Sequence, residues 1–211
     1  MARKTKEEAS KTRQIILDTA LKLFCEQGMT ETSLTDIATT AGVTRGAIYW
    51  HFKNKNDLFI TIWEEFCEPL SNLIDSSIRE DEPDPLGKLR FFLMALLDRM
   101  SRDPTQRQIF IILFSLDKSH QDIVEIHQHT HVKYQQFLQD LEQSLTNAIK
   151  RGQLSPTFNS RIGAHLISAT INGYILKCIQ DNDSKFHLNQ AEPLIDMLIG
   201  MFEDYHHHTP N

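Results

Sequence analysis

Hydrophobic residues along this chain recur at three- and four-residue intervals, the spacing that places side chains on one face of an α-helix. The pattern begins over residues 8–27, where Ile16, Ala20 and Phe24 share one face and Gly28 supplies a stop. It then repeats to the end of the chain, with polar, glycine- or proline-containing breaks between segments. The sequence therefore predicts an all-α fold of about nine helices.

Two short helical segments near the N-terminus are separated by a glycine turn. Ser33 followed by Asp36 indicates a capping box at the start of a helix that extends to about residue 40. Thr44 is a good N-cap for a second helix, and Gly42 lies in the turn between the two. Two helices joined by a short turn containing glycine form a helix-turn-helix, whose second helix enters the major groove of DNA.

The second of these helices carries more large polar-tipped side chains than a core accommodates. A helix this short cannot bury them, so we expect it to present them to a large anion such as duplex DNA. Arg45 is the best candidate for a bidentate contact with guanine, and Trp50 is expected on a sugar or a thymine methyl group. Phosphate contacts are expected from Ser33, Tyr49, His51 and Lys55. The full set of expected DNA-binding residues is Ser33, Thr44, Arg45, Gly46, Tyr49, Trp50, His51, Lys53 and Lys55.

This N-terminal region resembles the DNA-binding domain of TetR-family transcriptional repressors, and most closely that of the AcrR-like regulators of multidrug efflux pumps. The resemblance is carried by the segments TSLTDIA (residues 32–38) and AGVTRGAIYWHFKNK (residues 41–55), with the opening ARKTK. It implies a helix-turn-helix DNA-binding domain over residues 1–55 and a helical ligand-binding and dimerisation domain over residues 56–211. It also implies an inverted-repeat operator and a regulated efflux pump.

The charge distribution supports contact with DNA at one end only. The chain has a net charge of −6, yet residues 1–57 carry +2, so the remainder carries −8. Attraction to phosphate decays within a Debye length of about 8 Å, so only the basic end needs to approach the duplex. An architectural DNA binder without a ligand would be expected to have a basic body, which disfavours that alternative.

The middle of the chain contains two nearly continuous apolar helices, predicted over residues 86–100 and 104–116. Because they are apolar on all sides, we expect neighbours to enclose them. With a preceding long helix, in which Pro69 predicts a kink or break, they suit an apolar binding site for a drug-sized molecule. The same residues also suit a solid core, which the residues alone favour and from which periodicity does not distinguish a binding site. The expected ligand-binding residues are Trp63, Phe66, Phe92 and Phe114.

The last two predicted helices suit a dimer interface. One spans about residues 159–180, and Asn189 is the expected N-cap of the other, which runs to about Tyr205. In the resembled family these helices pair about a twofold axis, and two recognition helices must meet half-sites about 34–36 Å apart. The residues expected to allow this pairing are small on the first helix and apolar on the second: Gly163, Ala164, Ser168, Ala169, Gly173, Leu194, Leu198, Met201 and Phe202.

The sequence gives little indication of a metal or cofactor site. His127 and His131 lie one helical turn apart, with His120 and His129 nearby, but no third ligand completes a metal site, so we predict neither metal nor cofactor. Three widely spaced cysteines and a polar N-terminus favour a soluble cytoplasmic protein without a membrane span. The trio His206, His207 and His208 indicates only a polar tail.

The leading hypothesis is a ligand-responsive repressor that binds a palindromic operator as a homodimer and is released by hydrophobic or amphipathic compounds. The alternatives are a regulator of the same fold that controls a metabolic or stress gene, and a DNA binder without a small-molecule ligand. An enzyme is disfavoured because the sequence has no glycine-rich phosphate loop, nucleophile elbow or paired Cys/His set.

Overall fold

A computed structural model describes residues 2–116, 123–180 and 184–205. Over these residues the regular elements are helices, in agreement with the predicted all-α class. His120 and the 206–208 histidines lie outside the described residues. The helices described are α1 (Ala2–Gln27), α2 (Leu34–Ala41), α3 (Arg45–His51), α4 (Lys55–Ile78), α5 (Pro85–Arg102), α6 (Pro104–Ser115), α7 (Val124–Lys150), α8 (Ser160–Gln180) and α9 (Ser184–Glu203).

The helix-turn-helix begins and ends at the residues that the sequence predicts. Ser33 Oγ accepts a hydrogen bond from the backbone N–H of Asp36 at 3.1 Å, and the Asp36 carboxylate accepts one from the Ser33 N–H at 2.9 Å. Thr44 Oγ1 accepts from the N–H of Ala47 at 3.1 Å, which caps α3. Gly42 has φ of 66°, a left-handed conformation that glycine adopts without strain. The predicted capping box, N-cap and turn are therefore confirmed.

Two predicted helix starts differ from the structure. The last helix begins at Ser184, so Asn189 lies inside α9 and the prediction that it caps the helix is wrong. Residues 184–189 contain no glycine or proline, and asparagine inside a helix costs only a few tenths of a kcal/mol. The first helix extends to Ala2, beyond the predicted start near residue 8, through a segment rich in good helix formers.

Helix α4 continues past Pro69 without interruption, so the expected break is absent there. Proline lacks an N–H, and the Glu65 carbonyl therefore loses its helical donor at this point. The boundary between the two compact units of the chain falls three residues before this proline, between Phe66 and Cys67.

The first compact unit comprises Met1–Phe66 and Gln108–Thr130. Within it, α1, α2 and α3 pack against one another. Ile16, Ile37 and Ile48 are fully buried, and the ring of Phe24 lies 6.5 Å from that of Phe59. These apolar contacts fix α3 against α1 and α2 and leave its opposite edge uncovered.

The second compact unit comprises Cys67–Arg107 and His131–Asn211. Its core forms where α5 packs against α9, with α8 against both. Arg90 of α5 donates from Nε to Asp196 at 2.6 Å and from a terminal nitrogen to Glu192 at 3.3 Å, both on α9.

The expectation that the two most apolar helices are enclosed on all sides is wrong for part of their surface. In α5, Leu89 and Leu93 are fully buried, whereas Phe91 is 60% exposed. In α6, Ile112 is buried and Phe114 is 50% exposed. Continuous apolar sequence therefore marks a buried face here, together with apolar residues on the outer face.

The three cysteines, Cys25, Cys67 and Cys178, are not joined by disulfides. Burial, with a smaller contribution from Glu26, raises the pKa of the Cys25 thiol to about 11, which keeps the thiol protonated and unreactive at neutral pH.

The C-terminal end of α4 is tied to α7 by a small buried polar network. The hydroxyl oxygens of Ser77 and Ser144 lie 2.5 Å apart. The Asn147 side-chain amide donates to the carbonyl of Ile78 at 2.9 Å and to that of Arg79 at 3.3 Å. These bonds satisfy carbonyls that the end of a helix leaves without a partner.

Asn147→Ala is expected to lower the free energy of unfolding by about 1–3 kcal/mol, because the carbonyl of Ile78 would lose this donor, whereas that of Arg79 keeps the N–H of Glu82. Urea unfolding followed by circular dichroism measures the change. Lys133→Ala, at an exposed position on the same helix, is the control and should change the value by less than about 0.5 kcal/mol. Equal effects of the two substitutions would contradict the assigned role.

Candidate nucleic-acid interface and effector site

Helix α3 has one buried edge and one exposed edge. Ile48 is fully buried, as is Phe52 immediately after the helix. On the opposite edge, Tyr49 is 49% exposed and Trp50 is 73% exposed. Arg45 is exposed one turn before Tyr49. Aromatic and cationic side chains held outward on a rigid short helix form a surface suited to a DNA groove.

Arg45 and Tyr49 contact each other on this exposed edge. A terminal nitrogen of Arg45 donates to the Tyr49 hydroxyl at 3.1 Å. The guanidinium carbon also lies 5.5 Å from the centre of the tyrosine ring, within range of a cation–π interaction. Tyr49 thus restricts the conformations of Arg45 before any DNA is bound.

Two of the expected phosphate contacts already have partners within the protein. The Ser33 hydroxyl donates to Asp36 Oδ2 at 2.6 Å, and this bond lowers the pKa of the Asp36 carboxyl. Lys55 Nζ donates to the carbonyls of Thr30 and Thr32, both at 2.9 Å. Lys55 therefore ties the start of α4 to the segment before α2, a structural role that its sequence position did not reveal.

His51 lies at the end of α3 in a positively charged environment. Its ring centre is 4.4 Å from that of Trp50, with the rings nearly perpendicular. Burial and, to a smaller extent, the positive charge of Arg13 lower the pKa of His51 below its ordinary value of 6.5. Arg13 is itself held by an ion pair with Glu65 at 2.5 Å and by the ring of Phe52. Both effects favour the neutral form of His51 in the free protein.

An aromatic cluster lies in the first unit, formed by Trp63 and Phe66 of α4 with Phe110 and Phe114 of α6. The ring centre of Phe110 lies 5.4 Å from that of Trp63, 5.2 Å from that of Phe66 and 6.2 Å from that of Phe114. Trp63, Phe66 and Phe110 are buried, whereas Phe114 is half-exposed. Three of the four expected ligand-binding residues thus belong to one cluster.

The fourth, Phe92, lies in the second unit, where its ring centre is 6.0 Å from that of Phe137. Phe110, which was not among the expected ligand-binding residues, contacts the other three members of the aromatic cluster. The sequence contained a signal for Phe110: it lies four residues before Phe114, and residues four apart share a helix face.

Polar atoms near the aromatic cluster lack partners. Trp63 Nε1 and His127 Nε2 are buried without a hydrogen bond. His129 Nε2 lies 3.2 Å from Glu64 Oε1, an ion-pair distance without hydrogen-bond geometry. This last pair is therefore a close polar contact and not a hydrogen bond.

The histidines of α7 do not assemble a metal site within the described ranges. His127 is half-buried and His131 is exposed. Across residues 2–116, 123–180 and 184–205, no group of three or more His, Cys, Asp or Glu side chains is arranged to hold a metal ion.

The residues expected to form a dimer interface divide between buried and exposed positions. Leu198 and Phe202 of α9 are buried within the second unit, and so are Gly163, Ala164 and Ser168 of α8. A Cβ atom on Gly163 would lie 2.8 Å from the Phe158 ring, so this glycine permits packing inside the chain. The assignment of these five residues to a contact with a second chain is therefore wrong.

Apolar and small residues elsewhere on the same helices face outward. On α8 they recur at intervals of three or four residues, and on α9 they occupy successive turns. This exposed apolar stripe comprises Ile162, Leu166, Ala169, Gly173, Leu176, Met197 and Met201.

By length and composition, α8 is also the one helix of the described residues that meets the criteria for a membrane span. An 18-residue window reaches a mean hydropathy of 1.2, and 39% of that window is buried inside the protein. A helix that packs in the core of a soluble protein has the same properties.

Two family models match this chain, one in its N-terminal part and one over most of the remainder. Residues 16–62 match the model of bacterial regulatory proteins of the tetR family, and residues 84–204 match the C-terminal region of MAATS-type transcriptional repressors. The HTH-type transcriptional regulator TtgR of Pseudomonas putida is 35% identical over 201 residues, which cover 95% of this chain and 96% of that protein. AcrR of Shigella flexneri is 35% identical over 202 residues, 96% of this chain and 94% of that protein.

Two solved structures of efflux-pump regulators have a similar fold. NalD, the secondary repressor of the MexAB-OprM multidrug efflux pump in Pseudomonas aeruginosa, superimposes with a TM-score of 0.80 at 29% identity. The match covers 94% of this chain and 100% of NalD. The SmeT–triclosan complex gives a TM-score of 0.82 at 26% identity, over 95% of this chain and 98% of SmeT.

The fold and the exposed edge of α3 are those of a helix-turn-helix transcriptional regulator. The chain belongs to the TetR family, with a C-terminal region of the MAATS repressor type. The predicted family, the all-α class and the general function of a ligand-responsive repressor are confirmed. The relatives are transcriptional regulators, in keeping with the prediction that the protein is not an enzyme.

Proposed function

We propose that this protein represses a multidrug efflux operon by binding an inverted-repeat operator as a homodimer, and that apolar or amphipathic aromatic compounds release it. The observation that carries the proposal is the similarity over nearly the whole chain to TtgR and AcrR, together with the likeness to the efflux-pump repressor NalD. Such a protein acts in the cytoplasm, where it meets both DNA and entering compounds.

In this proposal residues 1–55 form the DNA-binding domain and residues 56–211 the ligand-binding and dimerisation domain. The exposed edge of α3 enters the major groove, where Arg45 reads a guanine. Thr44, Gly46 and Trp50 lie against the groove, while Ser33, Tyr49, His51, Lys53 and Lys55 approach phosphates. The mutual contact of Arg45 and Tyr49 supports this division, because it holds the base-reading side chain at the surface.

The homodimer forms through α8 and α9, with the exposed apolar stripe at the contact. An exposed apolar surface of this kind on a soluble protein commonly marks an interface. Small residues at Ala169 and Gly173 allow a helix of the partner to approach closely. The effector binds at the aromatic cluster, and Phe92 is retained as a candidate contact.

Effector binding and operator binding are thermodynamically linked. An effector that favours a conformer with wrongly spaced recognition helices weakens operator binding. The operator weakens effector binding by the same factor, typically 1–3 kcal/mol, or about 5- to 150-fold.

The proposal is tested with the DNA upstream of the gene itself and of its neighbours. The purified protein should protect an inverted repeat from nuclease digestion, and a panel of dyes and antibiotics should include compounds that release it. Failure to bind any such repeat, or binding that no compound reverses, would contradict the proposed function.

Operator affinity is expected to rise as the pH falls toward the pKa of His51, which lies below its ordinary value of 6.5 in the free protein. A nearby phosphate stabilises the protonated imidazole, so the pKa of His51 rises in the complex above its lowered value in the free protein. The gain is therefore fully present below the free-protein pKa and is lost above the pKa in the complex.

Dissociation constants measured against pH for the parent protein and for His51→Gln test this effect. The glutamine variant keeps a hydrogen-bond donor but does not titrate, so its profile should be flatter than that of the parent. Superimposable profiles would contradict a phosphate contact by His51.

A further inference from the structure

The indole N–H of Trp63 is a buried hydrogen-bond donor without an acceptor. Trp63 is 9% exposed, and its Nε1 atom has no hydrogen-bond partner among the described residues. Buried donors of this kind are rare, because they lose their hydrogen bonds to water without replacement. No described residue supplies the acceptor, and a bound molecule or water can supply it.

A second unpartnered polar atom, His127 Nε2, belongs to the neighbouring part of α7. His129, two residues further along α7, lies 3.2 Å from Glu64, which follows Trp63 in α4. This contact brings the start of α7 alongside the turn of α4 that carries Trp63. Trp63 is a member of the aromatic cluster, and His127 lies in the first turns of α7, in the same unit.

We propose that Trp63 Nε1, assisted by His127, donates a hydrogen bond to an oxygen acceptor on an aromatic effector. The aromatic cluster supplies surfaces on which a flat apolar ligand packs, and the indole N–H distinguishes ligands with an acceptor from those without one. His127 contributes the second donor in its Nε2–H tautomer. This inference rests on the proposed function, since it defines the chemical class of the ligand at the same site.

The preference for an acceptor over a cationic group follows from the indole N–H, which can donate a hydrogen bond but cannot accept one. Glu64 is the carboxylate beside Trp63 in the sequence, and its Oε1 atom is already close to His129. A cationic amine would place further donors against an indole N–H that itself needs an acceptor. An aromatic ketone or ester meets that requirement.

Two ligands of similar shape test the proposal: 2-acetylnaphthalene, which carries a carbonyl acceptor, and 2-isopropylnaphthalene, which carries none. Titration calorimetry on the full-length protein should find the ketone bound about three- to tenfold more tightly, the gain typical of one net hydrogen bond. Trp63→Phe keeps an aromatic ring without the N–H, so it should remove that preference. His131→Ala, at an exposed position one turn from His127, is the matched control and should retain it.

A spectroscopic measurement on protein that keeps Trp63 tests the same hydrogen bond without depending on whether the Trp63→Phe variant folds. The chain has two tryptophans, so Trp50→Phe assigns the indole N–H resonance of Trp63 in a nitrogen-15 NMR spectrum. The ketone should move this resonance downfield, as expected for a new hydrogen bond, and the hydrocarbon should not. His127→Phe should weaken the preference for the ketone by about two- to fivefold.

Equal affinities for the two ligands in the parent protein, or no binding of either, would overturn the proposal. So would an indole resonance that the ketone leaves unmoved, in which case water is the acceptor. Release of the operator by compounds that lack an acceptor would leave the proposed repressor function standing and refute only this assignment. Failure of the whole dye and antibiotic panel to release the operator would instead count against the repressor function itself.

Discussion

Replacing Arg45 with alanine is expected to weaken operator binding by about 1–3 kcal/mol per half-site and to relax base preference at one position of each half-site. Arg45 is exposed at the start of α3 and is oriented by the Tyr49 hydroxyl. Its planar guanidinium can donate two parallel hydrogen bonds to guanine, a pattern that alanine cannot reproduce. Fluorescence anisotropy at one fixed salt concentration, with the operator and its single-base variants, measures both effects.

Lys53→Ala is the control that separates base reading from attraction to phosphate. Lys53 is exposed beyond the end of α3, so its loss should weaken all sequences alike and reduce the slope of log affinity against log salt by about one. Lys55 is a poorer control, because its ammonium also binds the carbonyls of Thr30 and Thr32. An Arg45→Ala protein that keeps both the affinity and the selectivity of the parent would contradict the assignment.

The features that could be predicted from the sequence are those set by short-range chemistry. Ser33, Asp36 and Gly42 act within one turn of the chain, and their side chains or backbone angles determine where α2 begins and ends. The polar edge of α3 was equally predictable, because a seven-residue helix with a single buried isoleucine leaves its other side chains near solvent. Local rules therefore account for the helix-turn-helix in detail.

Features that depend on distant contacts could not be predicted in the same way. Gly163 is a small residue in a helix, and its sequence does not distinguish contact with Leu145, eighteen residues earlier in the chain, from contact with a second chain. Lys55 likewise has the charge of a phosphate contact, while its carbonyl partners lie more than twenty residues earlier in the chain. In both cases the relevant neighbour is remote in sequence, and periodicity carries no information about it.

The same limit applies to the candidate effector site. Composition predicts that Trp63 and Phe66 lie in an apolar environment, and both are buried. Whether a buried indole N–H finds an acceptor depends on which groups of α6 and α7 surround it, which only the structure describes. The hydrogen-bonding character of the ligand can therefore be inferred from the three-dimensional structure but not from the sequence.

Leu166→Glu is expected to convert the dimer into monomers and to lower operator affinity by at least about a hundredfold. Leu166 lies in the exposed apolar stripe of α8, where a carboxylate would lose its water if a second chain covered it. A monomer can occupy only one half-site at a time, so it loses the gain in affinity that linked binding provides, typically 10²–10⁴. Light scattering after gel filtration measures the mass, and anisotropy with the operator measures the affinity.

Val132→Glu provides the matched control for this substitution. Val132 is also an exposed apolar residue of the second unit, but it lies on α7, outside the exposed apolar stripe. It should leave both the mass and the operator affinity unchanged, because a glutamate there remains in water. If Leu166→Glu instead kept the mass of two chains and bound the operator normally, the dimer contact would have to lie on another surface. The spacing of the two α3 helices would then be set by elements other than α8 and α9.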